Sequence, residues 1–229
     1  MVTGIQIHFL LKAILRTLLF ILLLHILTSA GLKAQSLPAE AVSEAVALMT
    51  SEKSVQGNTS SIADNAEPGE CYYAKSVVEE GKVMKAMKRE EIITFTPPGM
   101  ESLYTDGHYM VFDGYLSNYN GTIVLFARVT FFSNEATQTY GSLFKNHELL
   151  LKTDDGQIAT LRCGQSESGS LNATYDKTTY LTYYEIDDSA YKILLERPVV
   201  AARMFWSKGY EDYTVSNPGF FQRQLSCVR

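Results

Sequence analysis

The sequence predicts an α+β domain: an antiparallel sheet of several strands with short helices packed on one face. Three observations carry that reading. Residues 147–163 place two apolar runs, around Leu149 and Leu161, on either side of Thr153-Asp154-Asp155-Gly156. Asp-Gly is a favoured two-residue hairpin turn, because both positions tolerate positive φ. Residues 122–132 alternate, with Ile123, Leu125, Ala127, Val129 and Phe131 forming one wholly apolar face, as a central strand requires. Asp187-Asp188-Ser189 and Asn217-Pro218 both read as helix starts, one through a capping carboxylate and the other through proline at the first helical position.

The elements follow in order. Residues 72–78 suit a strand, with a turn at Glu80-Gly81. Residues 83–90 fit helix by their Met and Lys content and strand by their alternation. A short strand at 92–95 is stopped by Pro97-Pro98-Gly99. Residues 108–115 and 122–132 are strands around a turn at 118–121, and 133–146 read as a loop. After the hairpin come a Ser/Gly-rich loop at 164–172 and a Tyr/Thr-rich strand at 176–186. The helix from Asp187 carries Ala190, Tyr191, Ile193, Leu194 and Leu195 as its stripe and ends before Pro198. Residues 199–206 set Val200, Ala202, Met204 and Trp206 on one face, and 210–216 turn Tyr213 and Val215 inward. A final helix lines up Phe221, Leu225 and Val228. The order from Thr122 is β-β-β-β-α-β-β-α, an antiparallel layer with helices gathered on one side.

The first 34 of the 229 residues read as a secretory signal peptide. His8, Lys12 and Arg16 make a basic start, residues 18–27 are apolar except for His25, and small residues follow. Cleavage after Ala30 or after Ala34 fits. Arg16 and Lys12 cut the apolar run short of the ~20 residues that a membrane span needs, so the mature protein is expected to have none. Residues 35–70 read as a tail: 38–52 set Val42, Ala45, Val46 and Met49 on one face of a short helix, and 51–70 are polar enough to stay disordered. Residues 71–229 form the single domain.

The leader holds Lys12, Arg16 and Lys33 and no acid, which leaves 17 basic against 25 acidic side chains, a net charge near −8. A nucleic-acid surface needs clustered Lys and Arg, so nucleic acid is excluded as a partner. Cys71, Cys163 and Cys227 are the three cysteines. In an oxidising compartment Cys163 and Cys227 are the expected pair, because both end core elements; three buried thiols are the alternative.

No motif of nucleotide binding, zinc proteolysis or serine hydrolysis is present. Gly164-Gln165-Ser166-Glu167-Ser168 lacks the final glycine of the nucleophile elbow. Cys163 with His108 or His147 is a conceivable nucleophile and base, although burial of the thiol is the simpler role. Asp154, Asp155, Asp187 and Asp188 are paired acids whose roles as turn former and helix cap are already complete, and their spacing fits no calcium loop. No metal or cofactor is expected. Asn58, Asn120 and Asn172 begin Asn-x-Ser/Thr sequons. The remaining signal is aromatic: Tyr175, Tyr180, Tyr183, Tyr184, Tyr191, Trp206, Tyr210 and Tyr213 crowd the C-terminal half. Outward tyrosines on a sheet bind proteins or glycans. Tyr180 and Tyr184 are the expected pair, with Tyr183 facing inward.

The succession of hairpin, Ser-rich loop, Tyr-rich strand, capped helix, Arg203-bearing strand, Tyr/Val strand and terminal helix to Cys227, with a leader ending Lys33-Ala34-Gln35-Ser36, resembles a domain of small exported proteins of Bacteroidota-type bacteria. The resemblance covers about residues 148–228. It implies export and a fold, and no activity. The expected function is that of an exported, non-catalytic protein that binds a protein or glycan partner at the cell envelope or outside the cell. The alternatives are a small exported hydrolase built on Cys163 and histidine, and an envelope protein anchored by its N-terminal helix.

Overall fold

The computed structural model describes residues 71–79, 82–104 and 107–229. The leader and the tail read from residues 1–70 lie outside them. The sheet belongs to the compact unit that ends at Arg229.

Eleven strands build one antiparallel sheet: β1 Tyr73–Glu79, β2 Lys82–Met87, β3 Glu90–Phe95, β4 Met110–Tyr119, β5 Thr122–Phe131, β6 Glu148–Thr153, β7 Ile158–Cys163, β8 Ser170–Asn172, β9 Lys177–Ile186, β10 Val199–Trp206 and β11 Gly209–Thr214. Among the described residues three short α-helices accompany them, α1 Ala136–Thr139, α2 Asp188–Glu196 and α3 Phe220–Val228, with a single 3-10 turn at Glu101–Leu103. The antiparallel sheet is as expected from the alternation. The balance is more β than an α+β description implies, because the ambiguous 83–90 segment is strand and a further short strand, β8, forms within the Ser-rich loop.

The strand order is β1-β2-β4-β5-β9-β7-β6-β10-β11, with β3 also on β4 and β8 also on β9. β5 pairs over its full length with β4 and, for nine residues, with β9. Its apolar face, Leu125 to Phe131, is wholly buried. The sheet curls until the end of β11 meets β3. The N–H groups of Ser216 and Asn217, just past β11, both donate to Ile92 O in β3, at 3.0 and 3.2 Å. Inside that seam the rings of Phe95 and Tyr213 meet edge-to-face at 5.3 Å.

β2 and β3 lie end to end along β4, with a break at Lys88-Arg89 opposite Tyr115-Leu116. A break in a buried ladder strands backbone groups that must find partners. Gln224 of α3 supplies them. Its Oε1 accepts the Leu116 N–H at 2.7 Å, and its Nε2 donates to Lys88 O and Glu90 Oε1, both at 2.9 Å. At the end of α3, Asn118 Nδ2 donates to Val228 O, and Tyr73 Oη donates to Cys227 O.

A disulfide joins Cys71 to Cys227 across 156 residues. This corrects the pairing of Cys163 with Cys227: Cys163 lies inside the sheet as a free thiol. Closing a loop of that length stabilises by roughly 5 kcal/mol in the chain-entropy treatment.

α2 begins as expected, with Asp187 Oδ1 accepting the Ala190 N–H at 2.8 Å. α3 begins later than Asn217-Pro218 suggests. Gly219 caps it, and the Asn217 side chain instead donates to Glu91 O and accepts from Arg223. In β10 the pairing slips between Val199 and Ala201, so Val199 is buried and Val200 faces out, reversing the expected Val200.

The Asp-Gly turn also differs in type. Gly156 alone has positive φ, at 89°, and Thr153 pairs with Gln157 around a three-residue loop, as in a turn closed by a glycine bulge. Asp155 holds it together, accepting from Thr153 Oγ1 at 2.7 Å, Gln157 N at 3.2 Å and Gln157 Nε2 at 2.8 Å. The Thr153 bond, then those to Gln157, hold its carboxyl down at about 2, from an ordinary 3.8. The folded value is the lower one, so this contribution to stability is complete above pH ~3.8 and is lost as pH falls toward 2. A carboxyl NMR titration should give a midpoint near 2 for Asp155, and Thr153→Val should move it back toward 3.8. Gln224→Leu keeps the volume but orphans Leu116 N–H. It should cost about 1–3 kcal/mol in urea denaturation without changing the fold.

Candidate functional site

One end of the curled sheet is built almost wholly of aromatic side chains. β4 starts there, β5 ends there, and β10 brings Trp206. Phe131 is the hub. Its ring stacks on Tyr140 at 4.5 Å and meets Tyr109 and Trp206 at 5.7 Å and Tyr180 at 6.1 Å. Trp206 closes the group at 5.0 Å from Tyr180 and 5.5 Å from Tyr140. Tyr180 Oη donates to Gly141 O at 2.8 Å, which fixes the chain after α1 over this mouth.

The polar atoms in the group are unusual. Trp206 Nε1 and Tyr213 Oη are buried and make no hydrogen bond of normal geometry. Burial pushes the Tyr140, Tyr213 and Tyr180 hydroxyls up, Tyr180 to about 12, and Glu211 adds to the effect on the first two. These phenols stay neutral at any physiological pH. A shallow cleft of about 50 Å³ opens beside them, between Thr139, Tyr140, Trp206, Lys208, Tyr210 and Glu211. Tyr210 is exposed on its rim. The Arg203 guanidinium lies 4.1 Å from its ring centre and holds Asp212 with two bonds of 2.6 and 2.7 Å.

Around the mouth several apolar side chains are exposed. Leu103 and Tyr175 are each 71% exposed, and Phe132 and Leu171 are about half exposed. Local bonds bring these loops together. Tyr104 Oη donates to Phe132 O, Thr178 Oγ1 donates to Ser133 O, and Leu171 pairs with Thr178. Asn172 Oδ1 takes the N–H groups of Thr174 and Tyr175 and so sets the turn that presents Tyr175.

The expected surface pair, Tyr180 and Tyr184, is not on the surface. They are 0% and 1% exposed. Their phase is set by β5: Tyr180 pairs with Val129 and Tyr184 with Leu125, so both share the core face. Tyr183 points the other way, its ring lying flat over Gly164, where a Cβ would come within 2 Å of it. The exposed residues that the sequence reading missed lie in a single 3-10 turn (Leu103), just past a strand end (Phe132) and in the three-residue strand β8 (Leu171). Neighbouring apolar side chains there give no periodic signal.

Cys163 and His147 are neighbours in the backbone ladder, where Cys163 N donates to His147 O, but their side chains have other partners. Cys163 Sγ donates to Gln165 O at 2.9 Å and lies 3.1 Å from Thr182 Oγ1. His147 Nδ1 accepts the Phe144 N–H and lies 3.2 Å from Phe205 O. Burial raises the thiol, outweighing the hydrogen bonds that lower it, which is opposite to what a nucleophile needs. Asp155 and Asp187 close their own turn and cap, and among the described residues no group of three or more His, Cys, Asp or Glu is placed to hold a metal. No helix among the described residues is long and apolar enough to cross a membrane.

Comparison with protein families, with curated proteins and with solved structures returns no match.

Trp206→Ala should cost about 3–5 kcal/mol, because the indole touches three other rings. Trp206→Phe removes the unpaired N–H together with part of the ring. Its cost in thermal denaturation should be well below that of the alanine variant, and equal costs would show that the N–H is satisfied after all.

Proposed function

We propose that this is an exported, non-catalytic protein that binds a partner protein through the apolar rim of its aromatic mouth. The observation that supports it best is the grouping of Leu103, Phe132, Leu171 and Tyr175 at one end of the sheet, exposed on short segments that are hydrogen-bonded to one another. Exposed apolar groups gathered in one place mark interaction surfaces more often than scattered ones do. The rigid rings beneath would hold that surface in shape at small entropic cost on binding. The Cys71–Cys227 disulfide suits an oxidising compartment and so agrees with the leader read at residues 1–34.

A glycan is the second reading. Tyr210 presents a ring face beside a cleft that also holds Glu211 and Lys208, and sugars take both stacking and hydrogen bonds from such groups.

Two measurements test this. The mature protein, panned against a displayed peptide library, should enrich apolar or aromatic peptides, and Leu103→Asp with Tyr175→Asp should reduce that binding at least tenfold. Enrichment that the double variant leaves unchanged sinks the rim as the site. A glycan array that lights up and dims with Tyr210→Ala moves the reading to the cleft. N-terminal sequencing of the protein recovered outside the cytoplasm should begin at Gly31 or Gln35. An intact Met1 would instead favour the anchored form.

A further inference from the structure

β11 ends the strand path, so one of its edges has no neighbouring strand. The ladder decides which backbone groups line that edge. Val215 N donates to Val200 O at 3.0 Å, which makes these two a bonded pair. In the same register so are Ala202 with Tyr213, Met204 with Glu211 and Trp206 with Gly209. The residues between, Tyr210, Asp212 and Thr214, turn N–H and C=O away from β10. Thr214 adjoins the seam, where Ser216 and Asn217 reach Ile92 O and Thr94 N donates to Ser216 Oγ. Tyr210 and Asp212 lie beyond it, beside the mouth. Both are exposed, and among the described residues no hydrogen bond reaches their outward backbone groups. Strand edges are commonly blunted by proline, a bulge or a charge. β3, across the seam, is followed by Pro97 and Pro98, which have no N–H to offer. β11 has neither proline nor bulge over its six residues. It has a charge instead. Glu211 shares the inward phase of Tyr213 and lines the cleft with Tyr140 and Trp206. Among the described residues its carboxylate has no ion pair, since Arg203 holds Asp212 and Lys208 donates to Gln138 O.

We propose that β11 takes up an extended segment of a partner protein as an added strand, bonded to Tyr210 and Asp212, with a lysine or arginine of that segment beside Glu211. This deepens the reading of the mouth as a partner-protein site and rests on it. In such an addition the backbone bonds supply affinity and side-chain pockets supply selection. The outward groups of Tyr210 alternate donor and acceptor with those of Asp212, a pattern that an extended backbone matches. The cleft of about 50 Å³ adjoins them and holds the carboxylate. It has room for a cationic head, since a water needs only about 10–15 Å³ of such space. There the cation meets Glu211 and the aromatic walls of Trp206 and Tyr210. A strand without a cation would cover Glu211 and leave it unpaired, so the same carboxylate rejects wrong partners. A second copy of this chain fits less well, because a two-fold at the middle of β11 would set Glu211 or Asp212 against itself.

The test uses the mature protein and the peptides it enriches from the displayed library. In the free protein, amide exchange followed by NMR should be fast at Tyr210 and Asp212 and slow at Glu211 and Tyr213, whose N–H groups bond to β10. Saturating peptide should slow Tyr210 and Asp212 roughly tenfold or more. N-methylation along the peptide should weaken binding at every second residue only. Glu211→Lys should weaken the basic peptides roughly tenfold and turn a fresh selection away from Lys and Arg. Binding that leaves the Tyr210 and Asp212 amides unchanged, yet is lost in Leu103→Asp with Tyr175→Asp, would keep the rim and overturn the added strand. Protection that survives that double variant would keep the strand and sink the rim. No enrichment at all would remove both. Slow exchange at Tyr210 and Asp212 in the free protein, as a monomer or with a doubled mass in solution, would mean that the edge is already covered and would overturn the proposal.

Discussion

β5 is hydrogen-bonded to β4 along all ten of its residues and to β9 along nine. Everything else is placed relative to that three-stranded ladder. Its side chains alternate strictly, so one face takes Leu125, Ala127, Val129 and Phe131 and the other takes Val124, Phe126 and Arg128. A one-residue slip would exchange the two faces. The long register therefore decides at once which tyrosines of β9 enter the core, where Phe131 can gather the mouth, and which face receives α3.

The curl of the sheet creates a second demand. A sheet that returns on itself brings backbone groups to places where no strand continues, and each must be met by a specific partner. Gln224 fills the break between β2 and β3, Ser216 and Asn217 bridge β11 to β3, and Cys71–Cys227 ties the start of β1 to α3. These polar and covalent ties all involve the last fourteen residues or their partners. The C-terminal helix is thus the fastener of the sheet as well as a cover for its core. Asp113 meets the same demand on the opposite face. Burial pushes its carboxyl up, although Arg128 donates two bonds to it and Arg89 stands 3.4 Å away.

The mouth combines rigidity with exposed apolar area. Its rings are held by one another and by Tyr180 on Gly141, while Leu103, Phe132, Leu171 and Tyr175 stand on the short segments around them. The buried phenols and indole carry no charge at physiological pH, so the exposed apolar residues rest on a neutral, rigid base.

Most of the strands could be read from local pattern, because period-two alternation and turn residues act over a few positions. The central strand, the capped helix at Asp187, the inward Tyr213 and the antiparallel order all follow from that. Three matters did not. β9 carries Tyr, Thr and a large aliphatic residue on both faces, so little contrast marks its inner side, and only pairing with Val129 and Leu125 put Tyr180 and Tyr184 in the core. With three cysteines the sequence allows three pairings, and the sheet's curvature decided that Cys71 meets Cys227. The exposed rim consists of single apolar residues on separate short segments, up to 72 positions apart in the chain. Local pattern determines what a segment becomes, since its physics is local. Which face is buried and which residues become neighbours depend on register and closure, and those exist only once the strands have met.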